Sequence, residues 1–122
     1  HAVSYPFTAL YGISHGHAVS LTLERFLKFN FFNINKSICN FDLKKRYYSL
    51  FKIFKVKNIY ELENKIKNLK YRTRLNDNFK DLNIDINNNY HKILDGVNLQ
   101  RLKNNPVKLQ RKDLKFLLLN NS

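Results

Sequence analysis

Apolar residues recur along this chain at intervals of three and four, and no apolar–polar alternation lasts long enough to propose a sheet. The pattern predicts helices joined by Asn-rich turns. Residues 1–11 read as helical up to Gly12, with Pro6 in the first turn or kinking the segment. Val19, Leu21, Leu23, Phe26 and Leu27 predict one largely buried helix over residues 16–29. Residues 30–40 read as a loop whose Phe31-Phe32 tucks into neighbouring core. A helix over 42–54 follows, with Leu43, Tyr47, Leu50 and Phe54 as a single apolar stripe.

Asn58 followed three residues later by Glu61 is a capping-box start, and Leu62, Ile66 and Leu69 mark that helix's buried face. Residues 73–83 are polar and loop-like. A short helix over 85–94 is expected to end at Gly96 in the left-handed conformation. Pro106 marks a further turn, and residues 113–119 predict a closing helix. No repeat, Gly-Ser linker or second domain interrupts this, so the expectation is one all-α domain spanning 1–122.

Composition narrows the function only slightly. The chain has 122 residues, 43% of them hydrophobic, which suits a globular domain and excludes a disordered one. Its single cysteine, Cys39, excludes a disulfide framework. With no secretory leader in view, it suggests a reducing, cytoplasmic setting. The formal charge of +13 is the footprint of a nucleic-acid binder. Asn, Lys, Ile, Phe and Tyr also rise together under AT-rich codon usage, and the cations are spread from Arg25 to Lys115.

The histidines carry the sharper signal. Three of four lie in the first seventeen residues: His1, His15 and His17, with His91 alone downstream. If the chain doubles back at Gly12, His1 and His15 can converge as metal ligands, with Gly16 permitting close backbone approach. On spacing alone, His17 reads as a first-turn polar residue and His91 as a surface histidine.

The run His1-Ala2-Val3-Ser4-Tyr5-Pro6, then Tyr11-Gly12-Ile13-Ser14-His15-Gly16-His17-Ala18-Val19, Leu21-Thr22-Leu23 and Phe29-Asn30, resembles the metal-binding signature of iron-containing (group III) alcohol dehydrogenases. Val97-Asn98, Arg101-Leu102, Asn104-Asn105-Pro106-Val107, Leu109 and Asp113-Leu114 look like that family's C-terminal ending. The resemblance covers the whole chain, equivalent to about the last third of a family member. It implies an all-α, multi-helix C-terminal domain of dehydroquinate synthase-like type, the N-terminal dinucleotide-binding domain being absent from this chain.

It further implies that His1 and His15 are two ligands of a catalytic Fe2+ or Zn2+. The other two, an Asp and a His four residues apart, would lie upstream. The enzyme would interconvert a small alcohol and aldehyde using NAD or NADP. Its alkoxide would be stabilised by the metal while hydride moves to or from the nicotinamide. Ligation needs neutral imidazoles, so metal affinity should fall with acid.

His17 and Tyr5 would line the substrate pocket, Tyr5 standing where many members carry another histidine. Ser14 and Glu24 replace common prolines, and Gln110 replaces a Thr or Ser cap, worth about 1 kcal/mol. The turn before Thr73-Arg74-Leu75 lacks a usual Gly-Leu-Pro. The Ser4-Tyr5-Pro6, His15-Gly16-His17 and Asn104-Asn105-Pro106-Val107 variant points to a branch resembling phosphonoacetaldehyde reductases. The chain alone would be inactive and bind metal weakly, with an aggregation-prone apolar face near residues 1–29. Two other readings stand beside this one: a small basic helical module binding nucleic acid or another polyanion, and a degenerate, non-catalytic remnant of the family.

Overall fold

The computed structural model describes residues 1–119. Its α-helices are α1 (Ser4–Tyr11), α2 (His15–Ser20), α3 (Leu23–Phe32), α4 (Leu43–Phe54), α5 (Ile59–Arg72), α6 (Ile86–Asp95), α7 (Leu99–Leu102) and α8 (Arg111–Leu119). A 3₁₀ turn at Ile34–Lys36 follows α3. The described residues are therefore all-helical apart from one antiparallel bridge, Ser37 to Val107.

The starts of several helices follow directly from their sequence. Asp42, Asn58, Asp85 and Asn98 each accept a backbone N–H three residues on, satisfying a donor the first helical turn leaves open. At α5 the reciprocal bond differs from the capping box expected. Glu61 accepts from the Lys57 amide at 2.7 Å, one residue before the cap. At α8 the Thr or Ser acceptor is missing, and the Asp113 carboxylate instead accepts the Gln110 amide at 2.8 Å, the reciprocal half of a capping box.

Two apolar clusters form the core. Ala2, Val3, Phe7, Ala18, Leu21, Phe79, Ile93, Leu94 and Leu118 gather α1, α2, α6 and α8 into one. Leu43, Tyr47, Phe51, Ile59, Leu62, Ile66 and Val107 join α4 to α5 in the other. Phe29 of α3 packs against both. The predicted α4 stripe is buried at Leu43 and Tyr47, with Phe51 taking the fully covered place and Leu50 and Phe54 at the margin. On α5, Leu62 and Ile66 are buried while Leu69 is half exposed. Residues 73–83 do lack a helix, yet they deliver Phe79 to the core, stacked on Phe7 at 5.7 Å.

Three expectations fail for identifiable reasons. The single helix over 16–29 is two helices broken at Leu21–Thr22. A continuous helix would use the Ser20 carbonyl for the amide four residues on; here the Lys70 ammonium takes it at 3.0 Å. The loop over 30–40 starts later, because α3 continues to Phe32. Phe31 packs on Tyr47 and Phe51, whereas Phe32 stays half exposed. Gly96 ends α6 at φ −86°, outside the left-handed region. Its lack of a side chain serves proximity instead, since a Cβ there would lie 3.0 Å from Pro6 Cγ. Gly96→Ala is therefore expected to push α1 from α6 and cost about 1–2 kcal/mol, read as a lower urea midpoint with unchanged slope.

Lys70, almost fully buried on α5, also contacts Glu24 at 2.8 Å and Asp77 at 2.8 Å. Arg25 donates to the Leu117 and Leu118 carbonyls near the end of α8 and lies over the Phe79 ring. Burial alone would raise the Asp77 carboxyl; the hydrogen bond and charge of Lys70, with Arg25, outweigh it and hold Asp77 below its ordinary value of 3.8. Glu63 is likewise raised by burial and more strongly lowered by Lys67 and Lys28, ending below 4.5. Both carboxyls are thus more acidic folded than unfolded, so the unfolded chain binds more protons. Their stabilisation is present above the unfolded values and lost as pH falls through the folded ones. Urea midpoints should fall on acidification below about pH 4.5, and less steeply in Glu63→Gln.

Candidate metal centre

The amino-terminal residues are fixed by what surrounds them. Ala2 and Val3 are buried, and the buried Ser4 hydroxyl donates to the His1 carbonyl at 2.8 Å. Phe7 anchors α1 in the core. Gly12 then adopts φ 66°, ψ 19°, and its amide returns to the Thr8 carbonyl at 3.0 Å. This left-handed turn, available to glycine without strain, stops α1 and sends the chain back. His15 follows as the first residue of α2.

That reversal brings His1 and His15 together. Their imidazole centroids are 5.2 Å apart with planes 18° from parallel, and both residues are exposed. A tetrahedral metal with bonds of about 2.1 Å to two imidazoles separates their centroids by about 5 Å. The centroid separation of the pair is close to that spacing. Among the described residues no group of three or more His, Cys, Asp and Glu side chains is placed to hold a metal.

Tyr5, in the first turn of α1, places its ring 6.1 Å from that of His15. Its hydroxyl accepts from Arg101 Nη1 at 2.8 Å, and the guanidinium lies 4.8 Å from the ring centroid. Sequence reasoning passed over Arg101 as a site residue. Its only signal was membership of the Arg101-Leu102 motif, and its partner is 96 positions away.

The other histidines separate from this group. His17 Nε2 is hydrogen-bonded to the Asn76 carbonyl, joining α2 to the 73–83 segment, and makes no ring contact with His1, His15 or Tyr5. His91 is exposed on α6 against Tyr90. The close approach expected at Gly16 does not occur, since no atom lies within 4 Å of where its Cβ would be. A broad depression lies between α3, α5 and residues 74–87, lined by Glu24, Lys70 and Asp77 and by neither His1 nor His15.

The apolar exposure expected near residues 1–29 is present at Tyr5, Leu10 and Leu23 but is not confined there. Ile53, Tyr71 and Leu99 are exposed further still. No helix of the described residues is long and apolar enough to cross a membrane.

The two segments carrying the sequence resemblance meet in space. Asn30, at the end of the first, exchanges reciprocal 2.8 Å hydrogen bonds with Asn105 of the second. Asn105 also donates to the Val107 carbonyl at 2.7 Å. The C-terminal model of the Fe-containing alcohol dehydrogenase family matches residues 1–121, and the chain belongs to that family. No curated protein and no solved structure matches it.

Proposed function

We propose that this chain is the helical, metal-binding part of an NAD(P)-linked alcohol dehydrogenase or aldehyde reductase, and that His1 and His15 are two of the ligands of its catalytic Fe2+ or Zn2+. The observation that carries this reading is the 5.2 Å approach of the two rings across the Gly12 reversal. Family membership supports it, since iron, a nicotinamide cofactor and a small alcohol substrate are what the family implies. The remaining ligands and the nicotinamide site would come from a dinucleotide-binding domain outside this chain. In such a site the metal supplies Lewis acidity toward the alcohol or aldehyde oxygen.

The chain's own residues have separate tasks. His1 and His15 present imidazole nitrogens, one on each side of the reversal. Buried Ala2 and Val3, with the Ser4–His1 hydrogen bond, hold the His1 backbone in place. Tyr5 flanks His15 and lines the substrate side. Its oxygen accepts the Arg101 N–H, which leaves its own O–H to donate towards substrate. His17 braces the segment behind the pair through Asn76. The setting that goes with this activity is the cytoplasm.

The test is metal titration followed by aldehyde reduction with NADH or NADPH, using the chain joined to a dinucleotide-binding domain carrying the Asp and His ligands. One equivalent of metal and turnover are expected; the chain alone should bind metal weakly and reduce nothing. Stoichiometric binding that survives loss of both His1 and His15 would sink the assignment.

A second reading rests on α4, whose exposed side carries Lys44, Lys45, Arg46 and Lys52 and no acid. It predicts oligonucleotide binding that weakens steeply with salt. Absence of such binding at low salt eliminates it.

A further inference from the structure

We propose that the outer side of α4 docks on the surface of an anionic phospholipid bilayer. Phe41 and Ile53 enter the headgroup layer, while Arg46 and the neighbouring lysines are held to lipid phosphates. This contact goes beyond the oxidoreductase reading and does not depend on it. It is the rival of oligonucleotide binding on the same helix.

Three observations carry it. The first is uncompensated charge. Residues 41–57 contain Lys44, Lys45, Arg46, Lys52, Lys55 and Lys57, all exposed, against a single acid, Asp42. That acid is occupied at the helix cap, where it accepts the Lys45 backbone amide. None of the six cations forms an ion pair with a carboxylate of the described residues, since Glu24, Glu63, Asp77 and Asp95 are paired with Lys28, Lys67, Lys70 and Arg111. Each cation brought near an anionic leaflet strengthens adsorption about fivefold.

The second is apolar surface set among those charges. Seven positions make almost two helical turns, so Arg46 and Ile53 share one side of α4, about 10 Å apart along its axis. Ile53 is 74% exposed. The Arg46 guanidinium lies 5.0 Å from the Phe41 ring centroid, which puts Phe41, itself 44% exposed, at the other end of that line. The line therefore has an apolar side chain at each end and a cation between them, with Lys45 and Lys52 alongside. Such cations can lay their stems on an apolar phase and keep their heads among phosphates.

The third is the backing of the helix. Leu43, Tyr47 and Phe51 bury the opposite side of α4 in the second core cluster. The Tyr47 hydroxyl adds a 2.6 Å hydrogen bond to the Leu27 carbonyl. The helix thus presents its outer side already folded, and docking needs no ordering of a free segment.

The aliphatic side chain decides between the two polyanions. A nucleic acid strand would use the lysines and stack on the exposed Tyr48 ring, but it leaves Ile53 in water. A bilayer surface takes up both the charge and the apolar ends. A second copy of this chain would cover Phe41 and Ile53 only by setting one cationic face against another.

The test is flotation of the 122-residue chain with vesicles of phosphatidylcholine alone, and with vesicles in which about a third of the lipid is phosphatidylglycerol. Binding is expected to the anionic vesicles and should weaken with salt. Lys45→Gln combined with Lys52→Gln should lower it roughly ten- to thirtyfold. Ile53→Ser should lower it roughly three- to tenfold, and Ile53→Leu should bind as the parent does. These side chains are exposed, so the far-ultraviolet dichroism should stay constant throughout. Equal binding to both vesicle types, or an Ile53→Ser variant that binds like the parent, would overturn the proposal. Displacement of the chain from anionic vesicles by a single-stranded oligonucleotide at equal phosphate concentration would also overturn it, and would assign this face to nucleic acid. No metal, cofactor or second domain enters the assay, so its outcome is separate from that of the metal-site reading.

Discussion

His15→Ala should reduce aldehyde turnover in the complete enzyme by about a thousandfold or more and lower its metal content with it. The estimate follows from what the imidazole supports. Electrostatic stabilisation of a developing alkoxide is worth several kcal/mol, and each 1.36 kcal/mol is a factor of ten in rate. His15 is exposed at the start of α2, with its backbone set by the Gly12 turn. Its removal therefore leaves the core intact, and the far-ultraviolet dichroism and melting temperature of the apoprotein should not move. His91→Ala is the matched control, a histidine on the exposed side of α6. It should change neither metal content nor rate. A His15→Ala enzyme that keeps its metal and its turnover would remove the basis for the proposed function.

Lys70→Met carries the largest expected loss of stability. Its ammonium is held by Glu24, Asp77 and the Ser20 carbonyl, and Glu24 is itself only 4% exposed. Removing the cation strands a carboxylate in the interior, a change that costs about 3–5 kcal/mol. It also orphans the carbonyl at the break between α2 and α3. For a domain of this size the melting temperature should drop by about 10–20 °C. Lys70→Met combined with Glu24→Leu should recover much of that loss, because an apolar pair needs no compensation. Asp77, at 40% side-chain exposure, can return to water, so Asp77→Asn should cost far less. If the double variant were less stable than Lys70→Met, the carboxylate would not be the stranded group.

The same contact shows where sequence reading reaches its limit. The cap at Asn58 was legible because cap and amide lie three positions apart. The apolar stripes of α4 and α5 were legible for a similar reason, local spacing that one helix fixes by itself. The break at Leu21–Thr22 was hidden, since it depends on a lysine 50 residues away. Its one trace was Glu24, an acid within an apolar run. Gly96 was placed correctly at a helix end for the wrong reason, its neighbour being Pro6 of α1 rather than a backbone twist. At the site, the reversal at Gly12 and the approach of His1 to His15 were foreseeable. Arg101 was not, because nothing local to α7 indicates that Tyr5 waits across the fold.

The paired amides of Asn30 and Asn105 bear on how this sequence can change with time. Each side chain gives one hydrogen and receives one, over a separation of 75 positions. An Asp at either place would set acceptor against acceptor, and an apolar residue would leave the opposite amide without a partner. Neither asparagine can therefore drift alone. Among descendants of this chain, substitutions at 30 and 105 should arise together or be followed quickly by a compensating change. The two segments, though read as separate motifs, are inherited as a single unit.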